Sequence, residues 1–153
     1  MREERYEPKK GEKMLEEAGR KEKDGDGVRE KDGKKLRVRW QTKHRRQELP
    51  LLAEAAQATL GDIGFDVEIN STADHNSIRV DTSAWDIYVS AFVTAPTGEP
   101  EYFFNYHCLD DSAQNDGHYH NDQLEELAEE LSKTFDVQKR SELAVQMQQI
   151  ILD

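Results

Sequence analysis

The chain has 153 residues with 32 acidic against 21 basic side chains, a formal net charge of −11, and this length suits one domain that buries roughly two thirds of its unfolded surface. Residues 1–47 hold 17 Lys and Arg against 11 Asp and Glu, which leaves 4 basic and 21 acidic residues for the remainder. The basic stretch interleaves cations with acids and lacks a glycine-aromatic motif, so nucleic-acid binding is not expected; no run approaches the roughly 18 apolar residues of a membrane span, and MREERYEPKK has no apolar signal-peptide core.

In chain order, residues 6–19 predict a short helix, with Pro8 in its first turn, Gly19 as its stop, and Met14, Leu15 and Ala18 as a narrow apolar stripe that needs a neighbour. Residues 23–30 alternate acids with glycine as a calcium loop does. The register fails: with Asp24 and Asp26 as third and fifth ligands, the eighth position is Arg29 and the twelfth Gly33. A Gly/Asp turn leading into a hairpin over residues 28–36, closed at Asp32-Gly33, is the better reading.

Leu36, Val38 and Trp40 alternate with polar residues and predict one face of a strand over residues 36–42. Leu51, Leu52, Ala55, Ala56, Leu60 and Ile63 follow at helical spacing up to Gly64, and residues 65–70 alternate again. Strand, helix, glycine and strand make a right-handed βαβ unit with parallel strands. A short helix over residues 74–80, capped near Thr72 or Asp74, leads to a third strand over residues 85–91.

That strand breaks at Thr94-Ala95-Pro96-Thr97-Gly98 and the chain restarts at Glu99-Pro100-Glu101 as a helical turn. A polar loop between a buried strand and a helix N-terminus is where α/β sheets carry ligands. Phe92 and Tyr102 flank it and either stack on a ligand or fill core, whereas Phe103 is expected in the core. Residues 107–120 are polar and rich in Gly and Asn, hence an exposed loop; it carries His107, His118, His120 and the single cysteine, Cys108, which excludes an intrachain disulfide. If residues 118–120 are extended, His118 and His120 share a face and are candidate Ni²⁺ or Zn²⁺ ligands. Two acidic amphipathic helices follow. Residues 121–134 place Leu124, Leu127, Ala128 and Leu131 on one face, and residues 136–152, capped by Asp136, place Leu143, Ala144, Met147, Ile150 and Ile151.

The opening Tyr6-Glu7-Pro8-Lys9, the Asp24-Gly25-Asp26-Gly27-Val28-Arg29-Glu30 hairpin, Trp85-Asp86-Ile87, and Asn121-Asp122-Gln123-Leu124 with Lys139-Arg140-Ser141-Glu142-Leu143 together resemble the extracellular solute-binding proteins of peptide- and nickel-type ABC transporters. The resemblance implies an α/β fold with a mixed, largely parallel sheet flanked by helices, forming one lobe of a two-lobed periplasmic-binding-protein-like receptor. Residues 1–35 would be the lobe's N-terminal helix and hairpin and residues 36–153 its α/β ligand-binding part, one domain overall. The first lobe, a signal or lipoprotein segment and the strands after the last helix would lie outside this chain, and a fragment would hold ligand weakly.

Within the family, the segment from Phe92 to Phe104 corresponds to a cleft-lining loop, so the expected ligand residues are Phe92, Thr94, Ala95, Pro96, Thr97, Glu99 and Tyr102. Peptide-binding members place an Asp-Pro-Asp-like sequence there and pair the ligand ammonium with a nearby Asp. Glu99-Pro100-Glu101 departs from that pattern and looks more like the nickel or metal-chelate branch. No cofactor is expected beyond Ni²⁺ or a metal chelate as transported ligand. In the family a chelator commonly carries the metal, which favours a single protein histidine at most among His107, His118 and His120. The implied partners are a small-molecule, metal-chelate or peptide ligand, the permease subunits and the absent N-terminal lobe, and the implied location is extracytoplasmic, periplasmic or lipoprotein-anchored.

An enzyme is not expected: Ser83, Ser90 and Ser112 lie in no nucleophile elbow, Cys108 beside His107 is no dyad by adjacency, and nothing fixes a carboxylate pair. The alternative from a different class is a standalone acidic module that docks on a basic partner.

Overall fold

The computed structural model describes residues 5–152, which fall into two compact units, one up to Ala91 and one from Phe92 onward. In the first unit, α1 (Pro8–Glu17) has proline at its first position. It ends where Gly19, at φ 79°, allows a left-handed residue, with the Gly19 and Arg20 amides donating to the Glu16 and Leu15 carbonyls at 2.9 and 2.8 Å. Met14 stays 61% exposed, and no residue of α1 is buried. The hairpin β1 (Glu30–Lys31) and β2 (Lys34–Lys35) forms as expected, with Asp32 and Gly33 at φ 53° and 72°, the left-handed pair a two-residue turn requires. This helix and hairpin belong to the same unit as the larger sheet that follows.

That sheet is parallel throughout, in the order β4-β3-β5, built from β3 (Arg37–Lys43), β4 (Asp66–Thr72) and β5 (Ile87–Tyr88). The helix α2 (Glu48–Gly61) crosses from β3 to β4, and α3 (His75–Val80) from β4 to β5. Two expectations need correction. The alternating face of Leu36, Val38 and Trp40 is not what is most buried in β3; Gln41 and Thr42 are, at 1% and 0% exposure. Successive strand residues point to opposite faces, so this central strand is covered on both sides at its carboxyl end. On α2, Leu51 and Leu52 are 65% and 55% exposed, and the inward stripe is instead Leu49 and Ala53 with the half-buried Ala56, Leu60 and Ile63. Both sets fit a helical period, and only packing on the strands chooses between them.

The third strand is also shorter than residues 85–91, although the Asp86 amide to Arg39 carbonyl and Val89 amide to Gln41 carbonyl bonds, 3.0 and 2.9 Å, extend its ladder. Asp86 secures it. Its carboxylate accepts from the Arg39 amide at 2.8 Å and from the Arg39 guanidinium at 2.9 and 3.0 Å, a two-pronged contact that holds its pKa below the ordinary carboxylate value.

Arg29 joins three elements of this unit. Its Nε donates to the Ile63 carbonyl at 2.9 Å and its Nη1 to that of Arg20 at 3.1 Å, while its amide donates to the Gly64 carbonyl at 2.8 Å. The residue that spoils the calcium-loop register is therefore the one that ties the end of α1 to the end of α2.

The second unit holds α4 (Glu101–His107), α5 (Asp122–Lys133) and α6 (Val137–Leu152). Its core is Phe104, Cys108, Leu124, Ala128, Leu131, Leu143 and Met147, which matches the stripes expected on the last two helices. Cys108 is a buried thiol inside that core, and burial pushes its pKa up, so it acts as a small apolar residue. Among the described residues no helix is long and apolar enough to cross a membrane.

Candidate functional site

The loop that follows the sheet turns at Ala95 to Gly98, where the Gly98 amide donates to the Ala95 carbonyl at 3.0 Å and Gly98 sits at φ 78°. Pro96 and Thr97 form the exposed tip of this turn. Thr94, Ala95 and Pro100 line a largely apolar cavity of about 490 Å³, completed by Phe103 of α4 and by Gln148 and Ile151 of α6. Phe103 thus does both jobs, packing on the core and facing the cavity.

Phe92 and Tyr102 do not line it. The Phe92 ring lies 4.1 Å from the His107 ring, which also meets Phe103 at 5.0 Å and Tyr106 at 5.1 Å, while Tyr102 stacks on Tyr106 at 5.5 Å and 13°. Phe92 and Tyr102 nevertheless remain 42% and 44% exposed. Residues one turn apart on α4 thus present an aromatic surface beside the loop.

The acids after the turn have an explanation that the sequence did not offer. A helix dipole favours carboxylates at this position, but here both are bound by Arg140 of α6. The Arg140 Nη2 lies 2.8 Å from Glu99 Oε1 and 2.7 Å from Glu101 Oε2, and its Nε donates to Glu99 Oε2 at 3.1 Å. The guanidinium holds the Glu99 carboxyl below its ordinary value, and the two acids in turn raise that of Arg140. Glu99, expected as a ligand residue, spends its charge inside the protein.

The histidines are not gathered. Among the described residues, the one group of three metal-ligating side chains within reach of each other is Glu22, Asp24 and Asp26. There the Lys35 ammonium already sits 2.6 Å from both aspartates and supplies the counter-charge. His107 is packed among aromatic rings, and His118 adopts φ 51°, so the extended segment that would align it with His120 is absent. Nor is the loop loose. Asn115 donates to the Leu109 and Tyr119 carbonyls at 3.2 and 2.8 Å and accepts from the Tyr119 amide at 2.9 Å, while the Tyr119 hydroxyl donates to the Ile150 carbonyl at 3.2 Å.

His120 closes this loop by donating from Nδ1 to both Asp110 oxygens at 2.9 Å, with Asp122 at 3.4 Å from Nε2. The Asp110 carboxylate, through that hydrogen bond and its charge, raises the imidazole pKa. The stabilisation from the charged pair is therefore fully present below the ordinary imidazole value of about 6.5 and is lost as pH rises through the higher folded value. His120→Gln is expected to lower the melting temperature clearly at about pH 6 and scarcely at about pH 9. Thermal melts at both values decide; an equal drop at each assigns the side chain a packing role only.

The model of the bacterial extracellular solute-binding proteins, family 5 (middle), matches residues 1–115. The nickel-binding protein NikA of Staphylococcus aureus (strain NCTC 8325 / PS 47) is 32% identical over 109 residues, 71% of this chain and 22% of that protein. The crystal structure of NikA from Staphylococcus aureus in complex with Ni(L-His)2 superposes with a TM-score of 0.80 at 26% identity, over 92% of this chain and 28% of the other. A periplasmic oligopeptide-binding protein of Thermotoga maritima with bound mannohexaose gives 0.79 at 25% identity, over 96% and 29%. The chain thus spans between a fifth and a third of these relatives.

Proposed function

Because the chain belongs to the family 5 bacterial extracellular solute-binding proteins, we propose that it forms part of the solute receptor of an ABC importer, and that the solute is nickel carried as a small chelate. The receptor works outside the cytoplasm, closes around the solute with each lobe supplying part of the contact, and presents the closed form to the permease. The observation that carries the choice of solute is the state of the acids at the loop. A peptide ammonium buried in a cleft needs an uncommitted carboxylate to repay its desolvation. Residues 92–98 contain no acid, and the next two, Glu99 and Glu101, are held by Arg140.

Because His107, His118 and His120 do not converge into a ligand set, the metal is held mainly by its chelator, and the protein reads the complex through Thr94, Ala95, Pro96 and Thr97 and the rings of Phe92 and Tyr102. Short peptides are the alternative solute. The direct test is calorimetric titration of the longest form the gene encodes with Ni²⁺ alone, with Ni²⁺ plus L-histidine, and with dipeptides. Saturable heat is expected with the nickel–histidine mixture; heat from dipeptides only would replace the chelate with a peptide.

A further inference from the structure

Arg140 does more than neutralise two acids. Its Nη1 donates to the Leu131 and Thr134 carbonyls, both at 2.7 Å, where α5 ends, and its other nitrogens hold Glu99 and Glu101, 41 and 39 residues away in sequence. Glu99 in turn accepts from the Glu101 amide at 3.4 Å. One side chain, only 17% exposed, therefore fastens the loop before α4 to the junction of α5 and α6. Residues 92–98 of the loop are exposed, and the Ala95–Gly98 turn bond is local.

We propose that Arg140, which does not line the cavity beside the loop, is the positioning residue for the solute loop, fixing residues 94–101 to the α5–α6 hairpin so that Thr94 and Ala95 are held in place before solute arrives. The inference rests on the reading of this loop as solute-contacting. The planar fork suits the task because it reaches two carboxylates on one side and two carbonyls on the other, which a lysine ammonium with three donors on one atom does not match. Prepaid order of this kind is what a binding loop needs, since a loop that must be ordered by its ligand binds correspondingly more weakly.

The test compares wild type with Arg140→Gln, Arg140→Lys and, as a destabilised control from the other compact unit, Leu49→Ala, each in the longest form the gene encodes. Hydrogen exchange without solute and calorimetry with nickel–histidine are read well below each melting temperature. Arg140→Gln is expected to speed exchange of the amides in residues 94–101 and to weaken nickel–histidine binding, each by about tenfold or more. Arg140→Lys should fall between, and Leu49→Ala should lower the melting temperature with loop exchange and affinity kept. Unchanged loop exchange in Arg140→Gln overturns the proposal, as does a loosened loop with undiminished affinity. If wild type binds no nickel complex, the solute assignment fails by itself; exchange in the loop still decides, a rise supporting the positioning role and its absence removing it.

Discussion

Leu124→Ala is expected to cost about 2–5 kcal/mol, the range for emptying a fully enclosed leucine site. Leu124 is 0% exposed and sits in one cluster with Leu131, Leu143 and Met147, side chains from two helices that cannot both move inward to fill the space. The Asn121 side chain, which accepts from the Leu124 amide at 3.0 Å, survives the substitution, so the loss reports packing and not the cap. Since domains of this kind hold only about 5–15 kcal/mol in total, the shift should be large in a urea or guanidinium titration. A midpoint that stays put would mean the α5–α6 cluster is not a tight core. The same change at Leu51, at 65% exposure on α2, should move the midpoint little.

Gly64→Ala is the second large effect, and here the cause is backbone and crowding together. Gly64 has φ 97°, a conformation that a Cβ disfavours, and an added Cβ would lie 2.5 Å from Arg29 Cγ and 2.9 Å from its Cδ. The arginine cannot swing aside freely, because its Nε and Nη1 are bonded to the Ile63 and Arg20 carbonyls. Strain and overpacking together amount to about 2–4 kcal/mol. The two parts separate in a double-mutant cycle: in an Arg29→Ala background the crowding disappears and only the backbone part should remain. If the cost is the same in both backgrounds, Arg29 does not press on this glycine.

These two sites also show how far the sequence could be read. Gly64 was legible as the end of α2, and Leu124 as part of an apolar stripe, because both signals are local and periodic. Arg29 and Arg140 were not. Each makes bonds to residues tens of positions away, Ile63 for one and Glu99 for the other, and nothing in the neighbouring sequence marks which acid or carbonyl a guanidinium will meet. The loop of residues 107–120 misled for a related reason. Its polar composition reads as solvated, yet Asn115 uses that polarity to bond the loop to itself, and Tyr119 reaches the Ile150 carbonyl.

The sequence by itself determined where helices, strands and tight turns lie, since 3.6- and 2-residue periods and the Asp32-Gly33 and Gly98 turn positions are written in adjacent residues. It also carried the family. Only the tertiary structure decided which stripe of α2 turns inward, that three histidines stay apart, and that Glu99 and Glu101 are already paired, because burial and charge pairing are set by which distant segments meet, and that is a property of the packed chain and not of any window along it.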